Sequence, residues 1–218
     1  VGSTSQTASF ASIMFLQRVA QCLTAQAALS WLVLVVADSV VDLPFGDINV
    51  MIVTDVHSWI SGHKHEPAYD ANYGDVLSLH ERIKEDCDKN GRDLFFVMNG
   101  DFNDGTGLST DPPIELVPLL ETMPWDAVTI GNHELYENDF IHYIMKPGNF
   151  VTFWGDRYLT ANVVNASTGE PLGRTHKFLR GQFGTTLLTF GFLYNMPDHG
   201  SAVDVLRVEE VVQQKWFL

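Results

Sequence analysis

Three short motifs in this 218-residue chain bear on chemistry: Asp55-Val56-His57, Gly100-Asp101 and Gly131-Asn132-His133-Glu134. Asp55 and His57 lie two apart, so on an extended segment their side chains point the same way. A carboxylate with an imidazole suits a first-row divalent ion. Asp101 offers a carboxylate that can bridge two ions, and Asn132 offers an amide oxygen for the second. His133, next in line, is free for acid or charge-stabilising work. Two ions about 3.5–4 Å apart clamp an in-line displacement and lower the pKa of a water between them. Each motif alone is common by chance. The set is specific because each motif follows an apolar stretch, in order.

Those stretches must be strands. Ile48 to Thr54 is nearly continuously apolar and predicts a buried strand ending on Asp55. Leu94 to Met98 predicts a second that delivers Asp101, and Asp126 to Ile130 a third that delivers Asn132. Between them, residues 75 to 90 predict a helix with Leu79, Ile83 and Cys87 inward, closed by Asn90-Gly91. Ile114 to Met123 predicts another, with Leu116, Leu119, Leu120 and Met123 inward and Pro118 as an internal weakness. A helix is expected to start between Glu134 and Met145. Strands are expected at Tyr158 to Val163, His176 to Gln182 and Thr185 to Phe192, and a last helix at Asp204 to Gln214. Alternating strands and helices indicate a layered α/β fold. In open α/β sheets the carboxyl ends of strands line the ligand crevice, so the three motifs converge on one edge.

The motifs resemble those of the calcineurin-like metallophosphoesterases. The resemblance runs from about Ile48 to the chain end and implies an α/β/β/α sandwich. It implies that Asp55 and His57 bind one metal, Asp101 bridges, Asn132 binds the other, and His133 is the general acid or transition-state stabiliser. Zn, Mn, Fe or Co would serve as the two divalent ions. Within the family the chain is similar to the 5′-nucleotidase-like branch. More narrowly it resembles fungal-type Ser/Thr-phosphatase-like proteins of the secretory or vacuolar route, through Ser61-Gly62-His63, the run Gly100 to Ser109, and Val212 to Phe217. That branch usually carries an Asp shortly after the catalytic His, where this chain has Tyr136. Gly-Asp-x-x-Asp is present instead, as Asp101 and Asp104, and Asp104 is the expected partner that orients His133. The family also has a later Gly-His and Gly-His-x-His, and neither follows Asn132 here. The resemblance therefore implies the N-terminal part of a catalytic domain, residues 38–218, truncated at its C-terminal side.

The remaining candidates are weaker. His63 and His65 are expected in a solvated loop. His80, His142 and His176 are expected on structural or surface positions, and Asp198-His199 in a turn before the last helix. Trp125, Trp154 and Trp216 are expected to pack.

Net charge is −14, from 13 Lys and Arg against 27 Asp and Glu. A surface this acidic repels nucleic acid polymers, and it leaves bound cations as the source of positive potential for a small phosphorylated substrate. Residues 1–37 read as a leader: Met14 to Arg18 give a basic start, and Val19 to Ala37 carry no charge. A signal peptide cleaved after Ala37 is expected, with a membrane anchor as the alternative. Cys22 falls inside that leader, and Cys87 then stands alone. The sequon Asn165-Ala166-Ser167 is compatible with a secreted, vacuolar or lysosomal glycoprotein. The reading is a metal-dependent hydrolase of phosphate esters, nucleotides among them. Its rival is a truncated or degenerate homologue without activity.

Overall fold

The computed structural model describes residues 43–63, 65–66, 70–110 and 112–218. The expected leader lies outside them. Among the described residues, no helix is long and apolar enough to cross a membrane.

Three parallel strands form the central sheet in the order β1 (Ile48–Val53), β2 (Asp93–Asn99), β3 (Ala127–Thr129). Between β1 and β2 runs α1 (Tyr73–Lys89). Its start is a capping box: Asn72 Oδ1 accepts from the N–H of Gly74 and Asp75, and Asp75 Oδ2 accepts from the N–H of Asn72. Lys84–Asp88 and Glu85–Lys89 pairs line its exposed side. The inward face is carried by Tyr73, His80 and Cys87, while Leu79 is exposed. His80 thus takes the place expected of Leu79, and its ring stacks on Phe96 of β2 at 4.5 Å.

Between β2 and β3 lies α2 (Leu116–Leu120), half the length the apolar spacing suggested. Pro118 has no N–H to offer the carbonyl of Ile114, so helix cannot propagate from Ile114, whereas Pro is tolerated in a first turn. Leu116, Leu120 and Met123 are buried and Leu119 is exposed. After β3 a single 3-10 turn (His133–Leu135) precedes α3 (Asn138–Met145) and α4 (Phe150–Trp154).

The main core lies between this helical layer and one face of the sheet, around Phe96, Met98, Trp125, Phe140 and Trp154. The opposite face, carrying Phe95 and Ala127, packs on Leu179 and Leu187. Those two come from the antiparallel hairpin β5 (His176–Arg180) and β6 (Thr186–Phe190). Helix, sheet and hairpin therefore stack in layers, the mixed α/β arrangement expected. Trp216 and Phe217 lie against the outer side of the hairpin, on His176 and Phe190.

Asp93, at the start of β2, ties hairpin to sheet. Its buried carboxylate accepts from the backbone N–H of Phe183 at 2.8 Å and of Thr185 at 2.9 Å. Bonds from Thr185 and Phe183 hold its pKa below the ordinary carboxylate value.

Three expectations are corrected. First, β1 is not buried on both faces: Ile48, Val50 and Ile52 are 50%, 49% and 58% exposed. They lie on the hairpin side of the sheet, and the hairpin covers β2 and β3 rather than β1. Second, Tyr158 and Leu159 make only single bridges, to Val128 and Arg174, and regular pairing begins at β4 (Val163–Asn165). Third, Asp204 is not helical. Val203–Val205 is β7, antiparallel to β4, and helix resumes only over α5 (Val208–Val211). Two tertiary bonds decide this: Leu206 N–H donates to the Asn162 carbonyl, and Asn195 Oδ1 caps Val208 N–H. Asp198-His199 accordingly precedes a strand rather than a helix.

Candidate metal centre

The three motifs do converge at the carboxyl ends of β1, β2 and β3. Beyond the strands the loops after β1 and β2 stay bonded to each other. Asp55 N–H donates to the Gly100 carbonyl at 3.2 Å, His57 N–H to that of Asp101 at 2.9 Å, and Ser58 N–H to that of Phe102 at 2.8 Å. This continued pairing runs through left-handed backbone. Asp55, His57, Ser58, Asp101 and Asp104 have φ of 56°, 47°, 66°, 51° and 67°. Every described non-glycine residue with positive φ lies in these two loops. Such strain persists where the surroundings over-determine it, and it clusters at functional sites.

Glycines allow the loops to close on each other. A Cβ on Gly105, at φ 105°, would meet the His57 carbonyl oxygen at 2.6 Å. A Cβ on Gly131 would overlap the carboxylate of Asp101. Both positions require close backbone approach.

One donor atom from each of His57, Asp101 and His133 lies within 4.8 Å of the other two. An imidazole pair with a carboxylate is a donor set that suits a first-row divalent ion. The rings of His57 and His133 meet edge to face at 4.3 Å. Asp101 Oδ1 accepts from the His133 backbone N–H at 3.0 Å. Asp55 is not one of the three; its Oδ2 accepts from Thr54 Oγ1 at 2.5 Å. Asn132 stands beside the cluster and donates through Nδ2 to the Tyr136 hydroxyl at 2.9 Å.

His133 Nδ1 lies 2.8 Å from Asp104 Oδ2. That bond, with one from Gly105 N–H, holds the Asp104 carboxyl below its ordinary pKa. With Nδ1 engaged, Nε2 is the free ring nitrogen of His133. A cavity of about 330 Å³ opens beside the pair, bordered by Asn103, Asp104, Ser109, His133, Tyr136 and Phe140. A larger cavity, about 460 Å³, lies near Ile60, Tyr73 and Met123 and includes none of the motif residues.

Glu134 is the residue whose role the sequence did not reveal. It is wholly buried, and it accepts from the backbone N–H of Asp101 (2.8 Å), Gly131 (2.8 Å) and Asn103 (2.9 Å). One carboxylate thus pins the loop after β2 to the loop after β3. Burial, with the nearby charge of Asp101, pushes its pKa up to about 7 against the pull of those bonds. Its place as the last letter of Gly-Asn-His-Glu was the available signal. Tyr136 was likewise visible only as a departure from a pattern.

The other histidines stay outside the cluster. His63 stacks on Trp59 at 4.2 Å and His65 lies 3.7 Å from Glu66. His142 is exposed, His176 stacks on Trp216, and His199 Nδ1 lies 3.1 Å from the Gly200 carbonyl. Trp125 and Trp154 are core residues. Cys87 is a buried free thiol.

A parallel sheet carries polar motifs at its strand ends, with an imidazole–carboxylate cluster among them that could hold a metal ion. The pattern of calcineurin-like phosphoesterases matches residues 48–217. The chain belongs to that family. It is 32% identical to a 5′-nucleotidase of Candida albicans, whose structure superposes with a TM-score of 0.75 over 81% of this chain and 34% of that one. A 5′-nucleotidase precursor from Thermus thermophilus, 16% identical with a TM-score of 0.54, shares the fold. Relatives include a secreted protein of Arthroderma benhamiae, 32% identical, and an uncharacterized protein of Schizosaccharomyces pombe, 35% identical. The matches cover 81% and 80% of this chain but only 27% and 30% of those proteins. The chain thus spans less than a third of the length of these relatives.

Proposed function

We propose that this chain carries the metal-binding part of a phosphoric ester hydrolase that acts on small phosphorylated substrates, nucleotides among them, in a secretory compartment. The observation that supports it most is the convergence of His57, Asp101 and His133 at the strand ends, with Asp104 behind His133. Asp55, His57, Asp101 and Asn132 would hold two divalent ions. Such ions supply charge for phosphoryl oxygens and acidity for a water. The chain's own work is then to position and to move a proton. His133, kept in orientation by Asp104, presents Nε2 to the leaving oxygen as an acid or charge stabiliser. The loops after β1 and β2 keep the carboxylates and His57 in fixed register. The acidic surface makes bound cations the natural attractor for an anionic substrate. Secretory location draws on the secreted Arthroderma relative and on Asn165, at the end of β4.

A second role for His133 has an observation of its own, since it shares the 4.8 Å cluster with His57 and Asp101. It would then be a metal ligand rather than the acid.

Turnover of p-nitrophenyl phosphate with Mn²⁺, alongside calorimetric Mn²⁺ titration, tests the reading. Asp101→Asn is expected to lose both binding and turnover. His133→Ala is expected to lose turnover about 10²–10⁴-fold while keeping Mn²⁺ affinity; loss of affinity instead selects the ligand role. A folded wild-type chain that neither binds Mn²⁺ nor turns over overturns the proposal.

A further inference from the structure

We infer that Tyr136 is a positioning residue for the metal centre, acting through its hydroxyl on Asn132. The inference rests on the metal-binding reading above, which the donor set of His57, Asp101 and His133 fits.

The geometry is specific. Asn132 is the residue before the 3-10 turn, with φ −75° and ψ −29°, an ordinary helical backbone. Nothing in that backbone chooses which way its amide faces. An Asn side chain has one oxygen that can ligate a cation and an NH₂ that cannot. A half-turn of the amide exchanges the two. In the structure Asn132 Nδ2 donates to Tyr136 Oη at 2.9 Å, so the hydroxyl, which can donate or accept, here takes the acceptor role. With the NH₂ committed to Tyr136, Oδ1 is the end left for a cation. Among the described residues, Oδ1 has no hydrogen-bond partner.

Tyr136 is poorly explained as a packing residue. It is 41% exposed, at the edge of the cavity beside His133. Its ring meets that of His133 edge to face at 5.3 Å, and His133 meets His57 likewise at 4.3 Å. One residue therefore borders the imidazole through its ring and orients the amide through its hydroxyl. Partners that orient metal ligands typically change affinity 10–100-fold when removed.

Tyr136→Phe separates the two contributions, because it keeps the ring and deletes the hydroxyl. Mn²⁺ titrated calorimetrically into the metal-free chain is the measurement, with wild type, Tyr136→Phe, Asn132→Ala and the double variant side by side. Melting of the metal-free proteins checks that each is folded. The expected result is a roughly tenfold loss of affinity in Tyr136→Phe with unchanged metal-free melting, and no further loss when the same change is made in Asn132→Ala. Wild-type affinity in Tyr136→Phe overturns the inference and leaves the proposed function standing. So does an equal loss in the Asn132→Ala background, which would mean the hydroxyl acts elsewhere. A wild-type chain that takes up no Mn²⁺ removes the metal-binding reading and this inference with it.

Discussion

His133 Nδ1 sits 2.8 Å from Asp104 Oδ2, a direct contact between the loop that follows β3 and the loop that follows β2. The two residues are 29 positions apart in sequence. The contact gives His133 a carboxylate partner from the loop after β2 rather than from position 136, where a nucleotidase-like pattern would have placed one.

The first prediction concerns that pair. Asp104→Asn removes the carboxylate that His133 Nδ1 contacts, and it is expected to lower kcat for p-nitrophenyl phosphate roughly tenfold or more with KM unchanged. The sign with pH follows from the depressed Asp104 pKa. The carboxylate is charged throughout the range above about 4, the ordinary Asp value, and its contribution disappears only as pH falls through the lower folded value. A pH–rate profile identical in wild type and Asp104→Asn would contradict this.

Glu134→Gln tests the buried pin. An amide keeps one oxygen for the N–H of Asp101 and Gly131 but turns its NH₂ toward the N–H of Asn103. At pH 8, above the raised pKa of about 7, the carboxylate is charged, and a buried donor left facing a donor, with the loss of charge-assisted bonds, costs about 2–3 kcal/mol. Melting of the metal-free protein is expected to fall by roughly 5–10 °C. A shift smaller than about 2 °C would show that the three contacts contribute little.

Asp93 carries a pH-dependent share of stability. Its folded pKa is depressed, so its contribution is fully present above the unfolded value of about 4 and is lost as pH falls through the folded value. Asp93→Asn should therefore melt below wild type at neutral pH, with the gap closing in acid. Thermal melts at pH 7 and pH 3, run in parallel, read the gap; one that stays constant would refute the assignment.

Metal should stabilise the fold by mass action. Mn²⁺ at a hundred times its Kd adds about 2.7 kcal/mol, which corresponds to a melting rise of roughly 5–10 °C. The rise should vanish with EDTA and in Asp101→Asn. A rise of equal size in Asp101→Asn would place the ion elsewhere.

Ile52→Thr should be nearly silent for stability, within about 0.5 kcal/mol, because the side chain is 58% exposed. Phe96→Ala on the covered face should cost about 3–5 kcal/mol. Urea unfolding of the two variants measures both. A large loss in Ile52→Thr would mean that β1 is covered after all.

The order of strands and the meeting of the three motifs were legible because strand-end chemistry depends on local pattern: an apolar run, then Asp-x-His, Gly-Asp or Gly-Asn-His-Glu. The partner of His133 was legible from Gly-Asp-x-x-Asp. What escaped depends on tertiary context. An apolar run does not say whether both faces will be covered, so Val50 and Ile52 looked buried. Asp204 to Gln214 reads as one helix until β4 supplies a pairing edge and Asn195 supplies a cap. His80 and Leu79 are neighbours on α1, and only the position of Phe96 decides which turns inward. Glu134 could not be assigned because the three N–H groups it accepts belong to residues as far as 33 positions away.

The continued pairing of the loops after β1 and β2 also sets where this chain can change length. Asp55, His57 and Ser58 are held to Gly100, Asp101 and Phe102 by one bond each. Inserting or deleting a single residue between Val53 and Ser58 would break these bonds and move His57 away from Asp101. A change of length at those few positions would therefore disturb the candidate site directly, whereas one in the turns at the far end of the sheet would not touch these bonds.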